Sequence, residues 1–220
     1  MKVIIRLALI ASMFIGAALT AKAQNHELSL MLRGGDCSTF GGAAAASIET
    51  SHTFNCFSLT GGAQYNTIGK TALEARPSMK WGNISAELLM AYTNLASVNS
   101  FAAGAGAIFD YGRINAKLGY YYRVYGGHGS RITEPFNIYY ELSVHLLQQI
   151  ENWDIDLTLT NNETFELERH YQPSFIAECF HFPTSKLGIA FGIGCKPAGM
   201  FNLSADYYQS FIKTGICFRW

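Results

Sequence analysis

Residues 113–125 run Arg-Ile-Asn-Ala-Lys-Leu-Gly-Tyr-Tyr-Tyr-Arg-Val-Tyr, an order with a period of two. Ile114, Ala116, Leu118, Tyr120, Tyr122 and Val124 alternate with Asn115, Lys117, Gly119, Tyr121 and Arg123. Successive side chains of a strand point to opposite faces, so the stretch builds one oily face and one polar face. The same alternation returns on both sides of it. Upstream, Leu73, Ala75, Pro77, Met79 and Trp81 alternate with Glu74, Arg76, Ser78 and Lys80. Downstream, Phe136, Ile138, Tyr140, Leu142, Val144 and Leu146 alternate with Asn137, Tyr139, Glu141, Ser143 and His145. Trp153, Ile155, Leu157 and Leu159 alternate with Asp154, Asp156, Thr158 and Thr160, and Leu187 to Cys195 alternates with small residues and Lys196. The chain is all-β, and past residue 24 it holds no run of apolar residues long enough for a membrane helix.

A soluble β-sandwich or lipocalin alternates too, so the deciding question is which face lies inside. Three features put the oily face outside, against lipid, as in an antiparallel transmembrane β-barrel. Stretches 113–125 and 135–149 exceed the roughly 9 to 11 residues that a tilted strand needs to cross a bilayer. Ala102, Gly104 and Gly106 offer a small inner face opposite Phe101, Ala103, Ala105, Ala107 and Phe109. Ile212, Thr214, Ile216, Phe218 and Trp220 form one outward face that ends on an aromatic residue.

Composition agrees with one domain outside the cytoplasm. Of 220 residues 49% are hydrophobic and 15% charged, the latter well under the roughly 25% usual in soluble domains. Residues 1–23 read as an export signal: Lys2 and Arg6 lead an apolar run from Leu7 to Thr20, and Ala21-Lys22-Ala23 makes a small-residue cleavage site. The apolar run is too short for a bilayer-spanning helix, so residues 24–220 are expected as the mature barrel. Three of the 16 basic residues leave with the signal against 16 acidic ones that stay, so no basic surplus invites nucleic acid. Cys37, Cys56, Cys179, Cys195 and Cys217 show no C-x-x-C or Cys/His spacing and read as apolar packing residues. No metal site and no cofactor is expected.

The export segment, the repeated strands and the ending Lys-Thr-Gly-Ile-Cys-Phe-Arg-Trp together resemble the small outer-membrane β-barrel proteins of Gram-negative bacteria. The resemblance implies a cell outer-membrane location, a surround of outer-membrane lipid, and a last strand whose Phe218 and Trp220 are read by the barrel-assembly machinery. About twelve strands are expected, over 26–34, 39–48, 54–66, 70–81, 83–95, 99–111, 113–125, 135–149, 153–160, 165–181, 186–196 and 200–220. Ten or fourteen stay open, because the apolar phase slips between Phe201–Tyr207 and Ile212–Ile216 and points to a bulge or extra turn near Tyr208 to Ser210. An even count puts both termini on the periplasmic side, with short turns at 81–83, 110–113 and 150–152. Trp81, Trp153 and Trp220 then form an aromatic rim there, and the longest connection, Gly126 to Glu134, lies outside.

The inner face is where chemistry would gather. The inward set is Glu74, Arg76, Lys80, Glu87, Asp110, Lys117, Arg123, Glu141, Asp154 and Asp156, joined by Glu166, Glu168, Glu178, Lys196, Asp206, Lys213 and Arg219. Both signs are present, so cross-strand pairing is one reading and an ion or solute path is another. Glu141, Ser143 and His145 share one strand face, a carboxylate, hydroxyl and imidazole that raise a lipid hydrolase as a distant possibility; side chains two apart on a strand start roughly 7 Å apart and run parallel. His170 beside Glu168 reads as a satisfied lumen histidine, and His128 as a solvated loop residue. The functions expected are a non-enzymatic barrel with a largely side-chain-filled lumen and a structural or surface-interaction role, or a small channel or transporter for ions or small hydrophilic solutes.

Overall fold

The computed structural model describes residues 25–35, 44–95, 98–127, 130–150, 152–163, 166–167, 173–198 and 207–220. Among the described residues fourteen strands follow one another: β1 (Asn25–Gly35), β2 (Ala45–Phe54), β3 (Phe57–Asn66), β4 (Thr71–Trp81), β5 (Ile84–Leu95), β6 (Val98–Tyr111) and β7 (Ile114–Gly127), then β8 (Ser130–Ile150), β9 (Trp153–Thr160), β10 (Asn162–Glu163), β11 (Glu166–Leu167), β12 (Ser174–His181), β13 (Leu187–Ala198) and β14 (Tyr207–Arg219). Twelve of them close into one antiparallel barrel, while β10 pairs only with β11 as a short hairpin. The seam joins β1 to β14 from Glu27↔Arg219 to Gly35↔Phe211. One residue further on, His26 and Trp220 exchange both backbone hydrogen bonds at 3.1 Å.

Paired residues in a ladder share a face, so facing propagates around the barrel: Glu74 pairs with Ala91, Ala91 with Ala102, and Ala102 with Arg123. The other face is the oily one and lies outside. Leu88, Leu118, Phe191 and Ile212 are 53–58% exposed, whereas Tyr121 and Tyr139, pointing in, are 1% and 0% exposed. This is the reverse of a soluble domain, where the large apolar side chains are the covered ones. No helix among the described residues is long and apolar enough to cross a membrane. Trp81, Trp153 and Trp220 all sit exposed at the end of the barrel that holds both termini of the sheet.

Four boundaries differ from those expected. The second and third strands run 45–54 and 57–66 instead of 39–48 and 54–66, with the turn at Asn55 and Cys56, where Asn55 takes a φ of +52°. The stretch Glu49-Thr50-Ser51-His52-Thr53 carries no oily alternation, because Thr50 and His52 on its outer face are as polar as the inward Glu49, Ser51 and Thr53. The 126–134 stretch is mostly strand and not an external loop: β7 reaches Gly127, β8 starts at Ser130, and the two residues pair. The expected 165–181 strand is β12 alone, preceded by the β10–β11 hairpin. No bulge interrupts 208–210, since the β13–β14 register is continuous from Ala198↔Tyr207 to Leu187↔Phe218. Phe201, Leu203 and Ala205, on which the expected slip rests, lie outside the described residues. Register shifts occur instead along β8, against Tyr121–Arg123 on β7 and between His145 and Ile150.

The inner wall is shaped by glycine. Gly106 and Gly119 face each other across β6 and β7, and the Tyr139 ring lies against both: a Cβ on either would overlap that ring. Phe211 covers Gly194 and Phe182 covers Gly188 in the same way. Large inward rings therefore lie flat on bare backbone. Gly119→Ala is expected to lower stability by about 1–3 kcal/mol through overpacking. Gly126→Ala, where a Cβ meets no atom within 4 Å, is not. Urea unfolding in lipid vesicles measures both, and adding Tyr139→Ala to Gly119→Ala should cancel part of the loss.

Candidate functional site

On the side of the lumen built by β4, β5, β7 and β8, inward positions bring five charges together. Arg76 Nε donates to Glu74 Oε1, and Arg76 Nη1 lies 3.5 Å from Glu87 Oε1. Lys117 Nζ reaches Glu87 Oε2 at 3.4 Å and Glu141 Oε1 at 4.0 Å. The Tyr139 hydroxyl donates to Glu87 Oε1 at 3.3 Å. The signs alternate along the chain Glu74–Arg76–Glu87–Lys117–Glu141, and Glu74, Arg76 and Glu87 are buried. Buried charges at this depth are tolerable only when each has such partners. Above them Arg123, also buried, sets its guanidinium 5.2 Å from the Tyr121 ring centre and donates to Tyr125 Oη at 3.1 Å.

The opposite side is more open. A cavity of about 210 Å³ lies along β1, lined by Glu27, Ser29, Met31 and Arg33, with Ser47, Glu49, Gln64, Glu178, Phe180 and Lys213 completing its wall. Lys213 Nζ stands 3.3 Å from Glu178 Oε1. Arg219 Nε donates to Glu27 Oε2 at 2.8 Å, and its Nη1 lies 4.0 Å from Asp154. The Arg33 guanidinium lies 3.6 Å from the Phe211 ring centre, and that of Arg219 lies 3.7 Å from the Phe182 ring centre. At the turn end of the barrel Lys80 Nζ meets Asp110 Oδ2 at 2.9 Å.

The expected inward residues of the described strands all face the lumen, from Glu74 and Arg76 on β4 through Lys196 on β13 to Lys213 and Arg219 on β14. Glu166 belongs to β11, outside the barrel wall, while Glu168, His170, Asp206 and His128 lie outside the described residues. Glu141, Ser143 and His145 share a face as expected, yet each engages a neighbouring strand. Ser143 Oγ is 3.0 Å from Thr158 Oγ1, His145 Nδ1 is 2.6 Å from Asp156 Oδ1, and Glu141 turns to Lys117. That is an aspartate–histidine pair and a hydroxyl pair side by side, without a serine in the relay that acyl transfer needs. Among the described residues no three His, Cys, Asp or Glu side chains could hold a metal.

Sequence reasoning passed over Glu27, Arg33 and Glu49. The signal was present for the first two, because Leu28, Leu30 and Leu32 alternate with Glu27, Ser29, Met31 and Arg33. Glu49 fell in a stretch expected to be a turn.

The pairing also ranks the charges. Replacing Arg76 with methionine leaves Glu74 and Glu87 buried without that cation and should cost about 3–5 kcal/mol. Lys80→Met breaks an exposed pair and should cost no more than about 1 kcal/mol. Urea unfolding of the two variants beside wild type in lipid vesicles measures both losses.

No family model matches the chain, and no curated protein matches it. Solved structures do. The NanC porin superposes with a TM-score of 0.60 at 11% identity, covering 87% of this chain and 98% of that one. The KdgM porin gives 0.55 at 11% identity, with 87% and 98% covered. The translocator domain of the autotransporter NalP from Neisseria meningitidis gives 0.55 at 13% identity, with 97% and 96% covered. At such identities the likeness is one of fold, and the fold is that of outer-membrane β-barrels.

Proposed function

We propose that this chain is an outer-membrane barrel that passes ions and small hydrophilic solutes through a narrow conduit set to one side of its lumen. The observation that carries the reading is the cavity of about 210 Å³ beside β1. Its lining extends from Glu27 to Arg33, roughly 20 Å along a strand at the usual rise per residue. The outward oily face, the tryptophans at one rim and the export segment of the sequence support the membrane setting. NanC and KdgM are porins, and KdgM has also been solved with oligogalacturonate. Size argues for smaller cargo here. Pockets that enclose drug-sized ligands run to about 300–1,000 Å³, so this void suits ions and small solutes better than an oligosaccharide. Across the lumen, the Glu74–Arg76–Glu87 cluster with Tyr121 and Tyr139 packs the remaining space, which keeps the path narrow. Phe218 and Trp220, outward at the seam end of β14, are where the barrel-assembly machinery would engage the chain.

Planar-bilayer recording on the refolded protein tests this. Small, steady steps are expected from the wild type, and larger ones when Tyr121 and Arg123 are both replaced by alanine. Silence from both proteins would contradict the conduit and favour a purely structural or surface-interaction role.

A further inference from the structure

Five charged side chains line the conduit: Glu27, Arg33, Glu49, Glu178 and Lys213. Four of them are engaged. Glu27 accepts from Arg219 at 2.8 Å, Glu178 and Lys213 face each other at 3.3 Å, and the Arg33 guanidinium is laid on the Phe211 ring at 3.6 Å. Glu49 differs. Its Oε1 accepts from the Ser47 hydroxyl at 3.4 Å, and among the described residues it forms no ion pair. A carboxylate has about four acceptor positions, so most of its capacity is left over for what occupies the cavity.

Position makes that capacity consequential. Glu49 sits in the middle of β2, opposite Ser29 on β1 and Gly62 on β3, so its ladder neighbours are small and leave space in front of the carboxylate. The conduit walls are protein of low dielectric, which focuses the field of an unneutralised charge into the water-filled path. The Glu27 and Glu178 carboxylates have Arg219 and Lys213 close at hand, and Arg33, which keeps its full charge on the Phe211 ring, stands four residues, roughly 13 Å, along β1 from Ser29, so Glu49 is the carboxylate at this depth with no cation in direct contact.

We infer that Glu49 determines the ion preference of the conduit, favouring cations over anions; this rests on the conduit reading above. Lys213 is the opposing element. It offsets Glu178 and its field also reaches Glu49, so its removal leaves both carboxylates of this wall without that cation.

Reversal potentials across a planar bilayer in a potassium chloride gradient test the assignment, with wild type, Glu49→Gln and Lys213→Met measured in parallel. Glutamine keeps the size and the Ser47 contact while removing the charge. The wild type should prefer potassium, Glu49→Gln should lower the potassium-to-chloride permeability ratio by about threefold or more, and Lys213→Met should raise it. Steps that persist with no wild-type cation preference, or with a ratio unchanged in Glu49→Gln, overturn the assignment and leave the conduit standing. Absence of steps in all three proteins overturns the conduit and the assignment together.

Discussion

Closure of the backbone hydrogen-bond ladder, β1 on β14, is the constraint on which the rest of this structure depends. Lipid offers no partner to an N–H or C=O, so a sheet placed there must leave no edge. The reciprocal His26–Trp220 bonds at the seam finish the ladder at the last residue of the chain, and the His26 ring stacks on the Trp220 indole at 5.3 Å. Once the ladder is closed, the period of two decides everything about facing. Every second residue must go to the outside and every other to the lumen, with only the register shifts along β8 to re-aim it.

The lumen then has to hold what the outer face cannot. Its charges sit in alternating-sign chains on one side and in discrete pairs on the other, and its large rings lie flat on glycine. The two devices have opposite effects on space. The buried chain from Glu74 to Glu141, capped by Tyr139, packs one half of the interior. The Phe211-over-Gly194 and Phe182-over-Gly188 contacts flatten the other half and leave the void along β1.

The fold was legible wherever a strand had oily residues on its outer face. β4, β6, β7, β9 and β13 show alternation, and the faces read for their named residues agree with the register of the barrel. Legibility failed in two physical situations. In 49–53 only Glu49, Ser51 and Thr53 line the polar lumen, but the outward Thr50 and His52 are polar as well, so no hydrophobic signal marks the strand. In 126–134 the paired strands continue with glycine and polar residues, which read as a loop although the ladder persists. Of the candidate site, the charges on well-patterned strands could be named, with cross-strand pairing as one of two readings; the contact of Arg76 with Glu74 runs within β4 instead. The partner of each was not readable, because which residues meet is set by register, and register is a property of two strands at once.

The central claim is that the oily face meets lipid and the charged face meets water. Nitroxide labels placed singly at Ser29, Leu30, Met31 and Leu32, in the barrel reconstituted into vesicles, test it most directly by their collisions with lipid-soluble oxygen and with a water-soluble nickel chelate. Leu30 and Leu32 are outward and exposed, while Ser29 and Met31 line the cavity. Oxygen should dominate at 30 and 32 and the nickel chelate at 29 and 31. The opposite phase, or no alternation along the strand, would contradict it.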